Sequence, residues 1–165
     1  PVTGPIVYVP GTGTICPGGV GNFCVSWQPA DQDDHIQFTI SGQTSGYLAL
    51  GITDVANAMG PADVVMCWMD NGAIVVSDRF NPQRGVNIED LSQDVTLVSS
   101  NVTNGVPSCT FKRALYANDV NDRSIPAGVA NLLWATGPMS TSESGPPALH
   151  GLQSCGVFTA TLLQT

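Results

Sequence analysis

The chain has 165 residues, 42% of them apolar and 11% charged, which suits one folded domain with a real hydrophobic core and leaves too little charge for a disordered tail. The net charge is −8, with only Arg79, Arg84, Lys112, Arg113 and Arg123 positive, so phosphate backbones and anionic membrane surfaces are repelled and no nucleic-acid partner is expected. No apolar run approaches the ~18 residues of a spanning helix, so no direct membrane insertion of this domain is expected.

The five cysteines, Cys16, Cys24, Cys67, Cys109 and Cys155, form no CxxC pair, which argues against structural zinc, and no CxxCH, which excludes a covalent c-type haem. Scarce lysine, the glycosylation acceptor Asn101-Val102-Thr103 and several cysteines together indicate an oxidising setting, secreted or extracellular. The start at Pro1, with no Met and no signal-like apolar region, reads as that of a mature fragment.

Residues 1–24, rich in Pro, Gly and Thr, are expected to form an irregular N-terminal segment, where seven residues between Cys16 and Cys24 allow a small closed loop. Residues 25–27 read as a short strand before a polar turn at 29–34. Residues 35–40 alternate, with Ile36, Phe38 and Ile40 on one face, and so predict a half-buried strand. Residues 47–53 alternate again: Leu48, Leu50 and Ile52 oppose the small Ala49 and Gly51, which leaves one face open to a close neighbour, a second sheet or a flat ligand.

A Gly/Pro-containing loop at 54–61 carries Met59. Residues 64–69 are apolar on both faces and predict a central strand, turned by Asp70-Asn71-Gly72 into the next strand at 73–78. Residues 80–94 read as a long surface connection. A hairpin around Asn104-Gly105 joins strands at 95–102 and 108–115, and 118–128 reads as a polar loop. Strands at 130–136 and 156–163 flank a Ser/Thr/Pro/Gly loop that ends in His150. Eight or nine short strands without any helical period predict a single-domain, all-β, two-sheet antiparallel sandwich over residues 1–165.

Hydrolase chemistry finds little footing: there is no GxSxG elbow, and His35 and His150 are the two histidines available to a nucleophile or to catalytic zinc. A blue-copper site needs two His, a Cys and a Met clustered largely on one loop, and that cluster is missing. By spacing alone Met59 reads as a gap-filling loop residue and His150 as an exposed one. Met and His from two loops are also an axial ligand set for haem iron.

The runs Tyr47-Leu48-Ala49-Leu50-Gly51-Ile52-Thr53, Met59-Gly60-Pro61-Ala62-Asp63-Val64-Val65, Asp70-Asn71-Gly72 and Val76-Ser77-Asp78 resemble the DOMON domain family. So do Leu132-Leu133-Trp134-Ala135-Thr136-Gly137 and His150-Gly151 before Gly156-Val157-Phe158, so the resemblance covers most of residues 36–163. It implies an immunoglobulin-like β-sandwich. In the haem-binding branch, which includes the cytochrome domain of cellobiose dehydrogenase and ferric-chelate-reductase-like ectodomains, a Met before the Gly-x-x-Asp-Val run and a His in the last loop ligate haem b. Those positions fall on Met59 and His150.

The resemblance further suggests a Cys67–Cys109 bridge between strands, with Cys155 left over. It implies a one-electron carrier rather than an enzyme by itself, exchanging electrons with a membrane cytochrome b561 or a small acceptor such as ascorbate or ferric iron. The alternative it leaves open is a haem-free module for carbohydrate or another small ligand. Gly60 and Gly151 are positions where backbone could approach a porphyrin. Tyr47, Trp68, Phe80 and Trp134 are candidate ring-packing residues. Arg79, Arg84 and Arg113 are candidate propionate partners, though surface placement is the default for each.

Overall fold

The computed structural model describes residues 5–84, 86–138 and 154–165. Thirteen strands are defined there: β1 (Val9–Pro10), β2 (Gly13–Ile15), β3 (Cys24–Pro29), β4 (His35–Ser41), β5 (Tyr47–Thr53), β6 (Ala62–Asp70), β7 (Ala73–Asn81), β8 (Ile88–Glu89), β9 (Thr96–Thr103), β10 (Val106–Ala114), β11 (Val129–Gly137), β12 (Cys155–Thr161) and β13 (Leu163–Gln164). They build a five-stranded sheet, β2-β3-β4-β10-β9, a six-stranded sheet, β12-β11-β5-β6-β7-β8, and a short β1-β13 ribbon. Every pairing is antiparallel. This is the all-β sandwich that the alternating patterns predict.

The core lies between the two sheets. β4 buries Ile36, Phe38 and Ile40 while Gln37 and Thr39 remain half-buried on the other side. Phe38 lies opposite Phe111 of β10 in register, with ring centroids 5.7 Å apart. From the six-stranded sheet, Leu48, Leu50, Ile52, Val65, Leu132 and Trp134 meet them, and Trp134 stacks on Phe23 at 5.2 Å. Each such fully buried side chain contributes about 1.5–3 kcal/mol. The two tight hairpins turn where the sequence has Asn-Gly: φ is positive at Asn71 and Gly72 (47° and 83°) and at Asn104 and Gly105 (51° and 77°), which is the geometry those residues tolerate best.

Two disulfides, Cys16–Cys24 and Cys67–Cys109, are present, and Cys155 is free. Cys67 lies on β6 and Cys109 on β10, so the second bridge ties one sheet to the other. Closing a loop of this length, 42 residues apart in sequence, typically stabilises a fold by about 2–4 kcal/mol.

Three segments depart from the sequence reading. The first 24 residues are not wholly irregular: β2 pairs with β3, the Cys16–Cys24 bond clips that pair, and β1 pairs with β13 near the C-terminus. These pairings join segments of low strand propensity, so no local alternation announces them. The connection at 80–94 includes β8 and folds back on β7, where Asp90 N donates to Asp78 O at 3.0 Å and Gln93 Nε2 donates to the same carbonyl at 2.8 Å. Arg79 and Arg113 are buried rather than on the surface. Of the three candidate propionate partners only Arg84 is exposed.

Candidate functional site

Two-residue alternation on β5, β6 and β11 gives the six-stranded sheet a second apolar face, turned away from the sandwich core. Tyr47, Ala49, Ala62, Val64, Met66 and Leu133 form this buried cluster, with Met59, Trp68 and Ala135 packed against it. The small residues noted on β5 point here. At Gly51 the space is taken by neighbours on the same face: an added Cβ would stand 3.2 Å from Leu133 Cβ and 3.4 Å from Val64 Cγ2. Ala49 and Ala62 are buried there and Ala135 is half-buried, so small side chains make up part of this packed layer. Tyr47 covers Gly137, where a Cβ would meet the ring at 2.6 Å. Burial pushes the Tyr47 phenol up to about 12, with Cys155 adding to the shift, so it stays neutral at physiological pH.

Met59 stands at one edge of this face in the β5–β6 connection. The loop is pinned at both sides. Thr53 Oγ1 donates to Pro61 O at 2.8 Å and accepts from Val55 N at 3.1 Å. On the other side, Asn81 Nδ2 donates to Met59 O at 3.5 Å, and Asn81 Oδ1 accepts from Asn87 Nδ2 at 2.6 Å. Arg79 Nε in turn donates to Asn87 Oδ1. Arg79 is paired in register with Val64, which places its guanidinium beside the apolar face. Burial pulls that guanidinium below its ordinary range, partly offset by Glu89. At Gly60 a Cβ would stand 3.0 Å from Asn81 O and 3.2 Å from Gln83 Cα, so this loop passes close to the chain after β7.

His150 and Gly151 lie outside the described residues. The strands that flank them end at Gly137 and begin at Cys155, and Gly137 pairs with Tyr47. His35 takes no part in the face: its Nδ1 is 3.0 Å from Asp33 O in an exposed turn at the edge of β4. Tyr47 and Trp68 belong to the outer face, whereas Trp134 points into the sandwich core. Phe80 carries the Arg123 guanidinium 5.8 Å above its ring. Asn101 is exposed on β9, with Nδ2 donating to Thr103 Oγ1 at 3.0 Å.

A group of buried charges at the edge of the core escaped the sequence reading. Asp63 follows the inward phase of β6 with Val65 and Cys67, and Arg113 follows that of β10 with Cys109 and Phe111. Their side chains meet across the sheets, Arg113 Nη1 to Asp63 Oδ2 at 2.6 Å, both almost fully buried. The pair is completed by the loop after β10: Arg123 N donates to Asp63 Oδ2 at 2.8 Å and Arg113 Nη2 donates to Arg123 O at 2.6 Å. Arg113 is therefore engaged inside the sandwich and is not a propionate partner. The signal was present in the alternation: a charged residue in the inward register of a strand needs a partner.

Asp78 and Asp122 adjoin this pair, and among the described residues no cation pairs with either carboxylate. Burial, reinforced by the Asp63 charge, raises the Asp78 carboxyl from its usual 3.8 to about 7. Burial also raises Asp122, against a hydrogen bond from Asn118 N. A carboxyl that holds its proton more tightly when folded stabilises the fold fully below its unfolded pKa, and that contribution is lost as pH climbs through the folded value. In chelator-treated protein, thermal unfolding midpoints are therefore expected to fall between about pH 4 and pH 7, and Asp78→Asn should flatten the slope. An unchanged slope in the variant would assign the effect to other groups.

The DOMON domain profile matches residues 19–137. Human DBH-like monooxygenase protein 1 is 26% identical over 126 residues, which cover 76% of this chain and 20% of that protein. A candidate ferric-chelate reductase 1 of Danio rerio is 29% identical over 118 residues, 64% of this chain and 20% of that one. The chain thus spans about a fifth of the length of these curated relatives. Among solved structures, the cytochrome domain of Myriococcum thermophilum cellobiose dehydrogenase superposes with a TM-score of 0.65 at 18% identity, covering 93% of this chain and 88% of that one. The cytochrome b domain of pyranose dehydrogenase from Coprinopsis cinerea gives 0.63 at 15%, covering 85% and 76%. At these identities the likeness is one of fold. With the profile spanning most of the sandwich, and both sheets built as the alternation required, this chain belongs to the DOMON domain family.

Proposed function

We propose that this domain binds one non-covalent haem b against the outer face of the six-stranded sheet, with Met59 and His150 as axial ligands, and carries single electrons. The observation that supports it most is the thioether of Met59 packed against an apolar cluster that includes Ala49 and Ala62, in a fold shared with two cytochrome b domains. The residues fit the group. Ala49, Ala62 and Ala135 keep the side-chain bulk of this apolar layer low, Tyr47 and Trp68 supply aromatic rings, and Met59 offers a neutral, soft donor.

The Met59 loop follows the Thr53 end of β5, and His150, four positions before Ser154, lies outside the described residues.

When bound, the haem supplies a one-electron couple whose potential a Met/His pair raises. The protein's part is to hold it. Thr53 and Asn81 fix the Met59 loop, the apolar face excludes water, and Arg79 puts a buried positive charge nearby. With both axial positions filled by protein, the domain is read as an electron carrier rather than an enzyme by itself. A membrane cytochrome b561, ascorbate or ferric iron would be its exchange partners, in keeping with a relative named for ferric-chelate reduction. The two disulfides and the exposed Asn101 acceptor support a secreted or extracellular setting with a glycan at Asn101.

Titrating purified protein with hemin tests this reading. One equivalent should bind and, once reduced, give the sharp α-band of six-coordinate b haem. A colourless protein that takes up no hemin would sink the proposal. That result would favour a haem-free module for carbohydrate or another small ligand, for which a cleft of about 180 Å³ walled by Leu48, Trp68, Met69 and Ile74 is one space among the described residues.

A further inference from the structure

The geometry points to a calcium-type divalent cation site formed by Asp63, Asp78 and Asp122, which would clamp β6 and β7 to the loop joining β10 and β11. Oxygens of these three carboxylates lie within 4.8 Å of one another, and all three residues are buried, at 2%, 2% and 7% exposure. Proximity of acidic groups alone would carry little. The second observation is at Asp78: its Oδ1 is fully buried and has no hydrogen-bond partner among the described residues, although its Oδ2 accepts from Asp94 N at 3.1 Å. A buried carboxylate oxygen with no such partner, beside two further carboxylates, offers a free donor position to a cation.

Charge and space agree with this assignment. Among the described residues, Arg113 is the one cation bonded to a carboxylate of the trio, through Asp63. Arg123 is committed elsewhere. Its Nη1 donates to the carbonyls of Val120, Asn121 and Asp122, and its Nε stands 2.9 Å from Asp54 but off the line of a hydrogen bond. With all three carboxylates ionised against one guanidinium, two negative charges would remain, which a divalent ion balances. A cavity of about 10 Å³, a single water-sized space, is lined by Asp78, Asp94, Arg113, Tyr116, Asn118 and Asp122, with Asp63 reaching the trio from outside its lining.

The donors are all oxygen, which excludes a preference for soft metals. Magnesium keeps several of its waters and demands octahedral geometry, whereas calcium accepts an irregular set of carboxylate and carbonyl oxygens. A neighbouring trio, Asp90, Asp119 and Asp122, is not assigned a second ion. There Asp90 Oδ1 accepts from Ser92 N, and Asp119 Oδ1 accepts from Asn121 N and Asp122 N, so these groups already serve as turn caps. The cation site does not depend on haem binding: it faces the sandwich interior rather than the outer face.

The test uses the full chain stripped with chelator near neutral pH. Calorimetric titration with Ca²⁺ should show one ion per chain, with Mg²⁺ binding more weakly. At a hundredfold excess of Ca²⁺ over its dissociation constant, the unfolding midpoint should rise by about 5–10 °C. Terbium should bind at the same place, with emission sensitised in part by Tyr116, and Ca²⁺ should displace it. Asp78→Asn keeps the shape of the carboxyl but cannot ionise, so its midpoint in chelator should match or exceed that of the unsubstituted protein while the Ca²⁺-dependent rise disappears. Asp122→Asn provides the same comparison should the first variant fold poorly. The proposal is overturned if the unsubstituted protein shows neither heat of binding nor a midpoint change up to about 10 mM Ca²⁺, well above the range of extracellular calcium modules. It is equally overturned if both folded variants keep the full rise.

Discussion

Met59→Ala is expected to abolish the six-coordinate spectrum of hemin-loaded protein and to weaken hemin binding by at least the roughly 10–100-fold that loss of an outer-shell partner costs a metal site. His150→Ala should do the same. The two variants separate ligation from folding in different ways. Met59 is half-buried at the edge of the outer face, so its truncation removes some packing and should cost the apo protein about 1–2 kcal/mol, less than the 2–5 kcal/mol of a fully buried Met. The spectrum, by contrast, should change completely. Met59→Leu sharpens the comparison because it keeps the volume and discards the sulfur. Apo stability should return to nearly the original value while the low-spin bands remain lost. If Met59→Leu keeps the reduced α-band unchanged, another residue is the ligand.

Breaking the Asp63–Arg113 pair should have the largest effect on stability. Removing one partner leaves the other charge buried without compensation, which costs about 3–5 kcal/mol. In a domain of this size that lowers the unfolding midpoint by about 6–20 °C. Asp63→Ala also strips Arg123 N of its acceptor, and Arg113→Met strips Arg123 O of its donor. The double replacement Asp63→Leu with Arg113→Met removes the uncompensated charge and should recover part of the loss. It should not recover all of it, because both backbone groups of Arg123 stay unpaired. A double-mutant cycle read by denaturant midpoints measures the coupling. Near-additive single effects would show that the pair contributes little beyond its packing.

This pair also explains one residue of the family run. Asp63 follows Met59-Gly60-Pro61-Ala62 so closely that a share in the Met59 site is an easy reading. The structure turns it the other way, into the sandwich, where it joins the two sheets. The next two inward positions of β6, Val65 and Cys67, continue that line to the inter-sheet disulfide with Cys109. β6 therefore has two distinct faces. One is an ion pair, core packing and a covalent bond. The other, Ala62, Val64, Met66 and Trp68, is the face offered to a ligand.

The strands and their faces were legible because period-two alternation is a local property. His35 to Ile40, Tyr47 to Thr53 and the Asn-Gly hairpins each declare themselves within a few residues, and nine strands of six residues or more are found where eight or nine were expected. The short strands β1, β2, β8 and β13 were not legible, because two or three residues cannot display a period and their pairing partners lie elsewhere in the chain. The outer face was half legible: Ala49 and Gly51 announced it, but the occupation of Gly51 by Leu133 and Val64 depends on cross-strand neighbours.

By itself, then, the sequence determined the fold class, the strand register relative to the core, and the residues available to ligate a metal, since alternation, turn chemistry and side-chain identity are written one residue at a time. Only the tertiary structure decided which charges meet. Asp63 and Arg113 are fifty residues apart, Asp78 and Asp122 lie on different elements, and nothing short of the packed sheets brings them within hydrogen-bond or ion-binding distance. Desolvation acts on such groups only once the sheets have closed over them. That is why an aspartate resembling an ordinary turn residue in the sequence becomes, in the fold, a buried carboxylate with one oxygen unpartnered among the described residues.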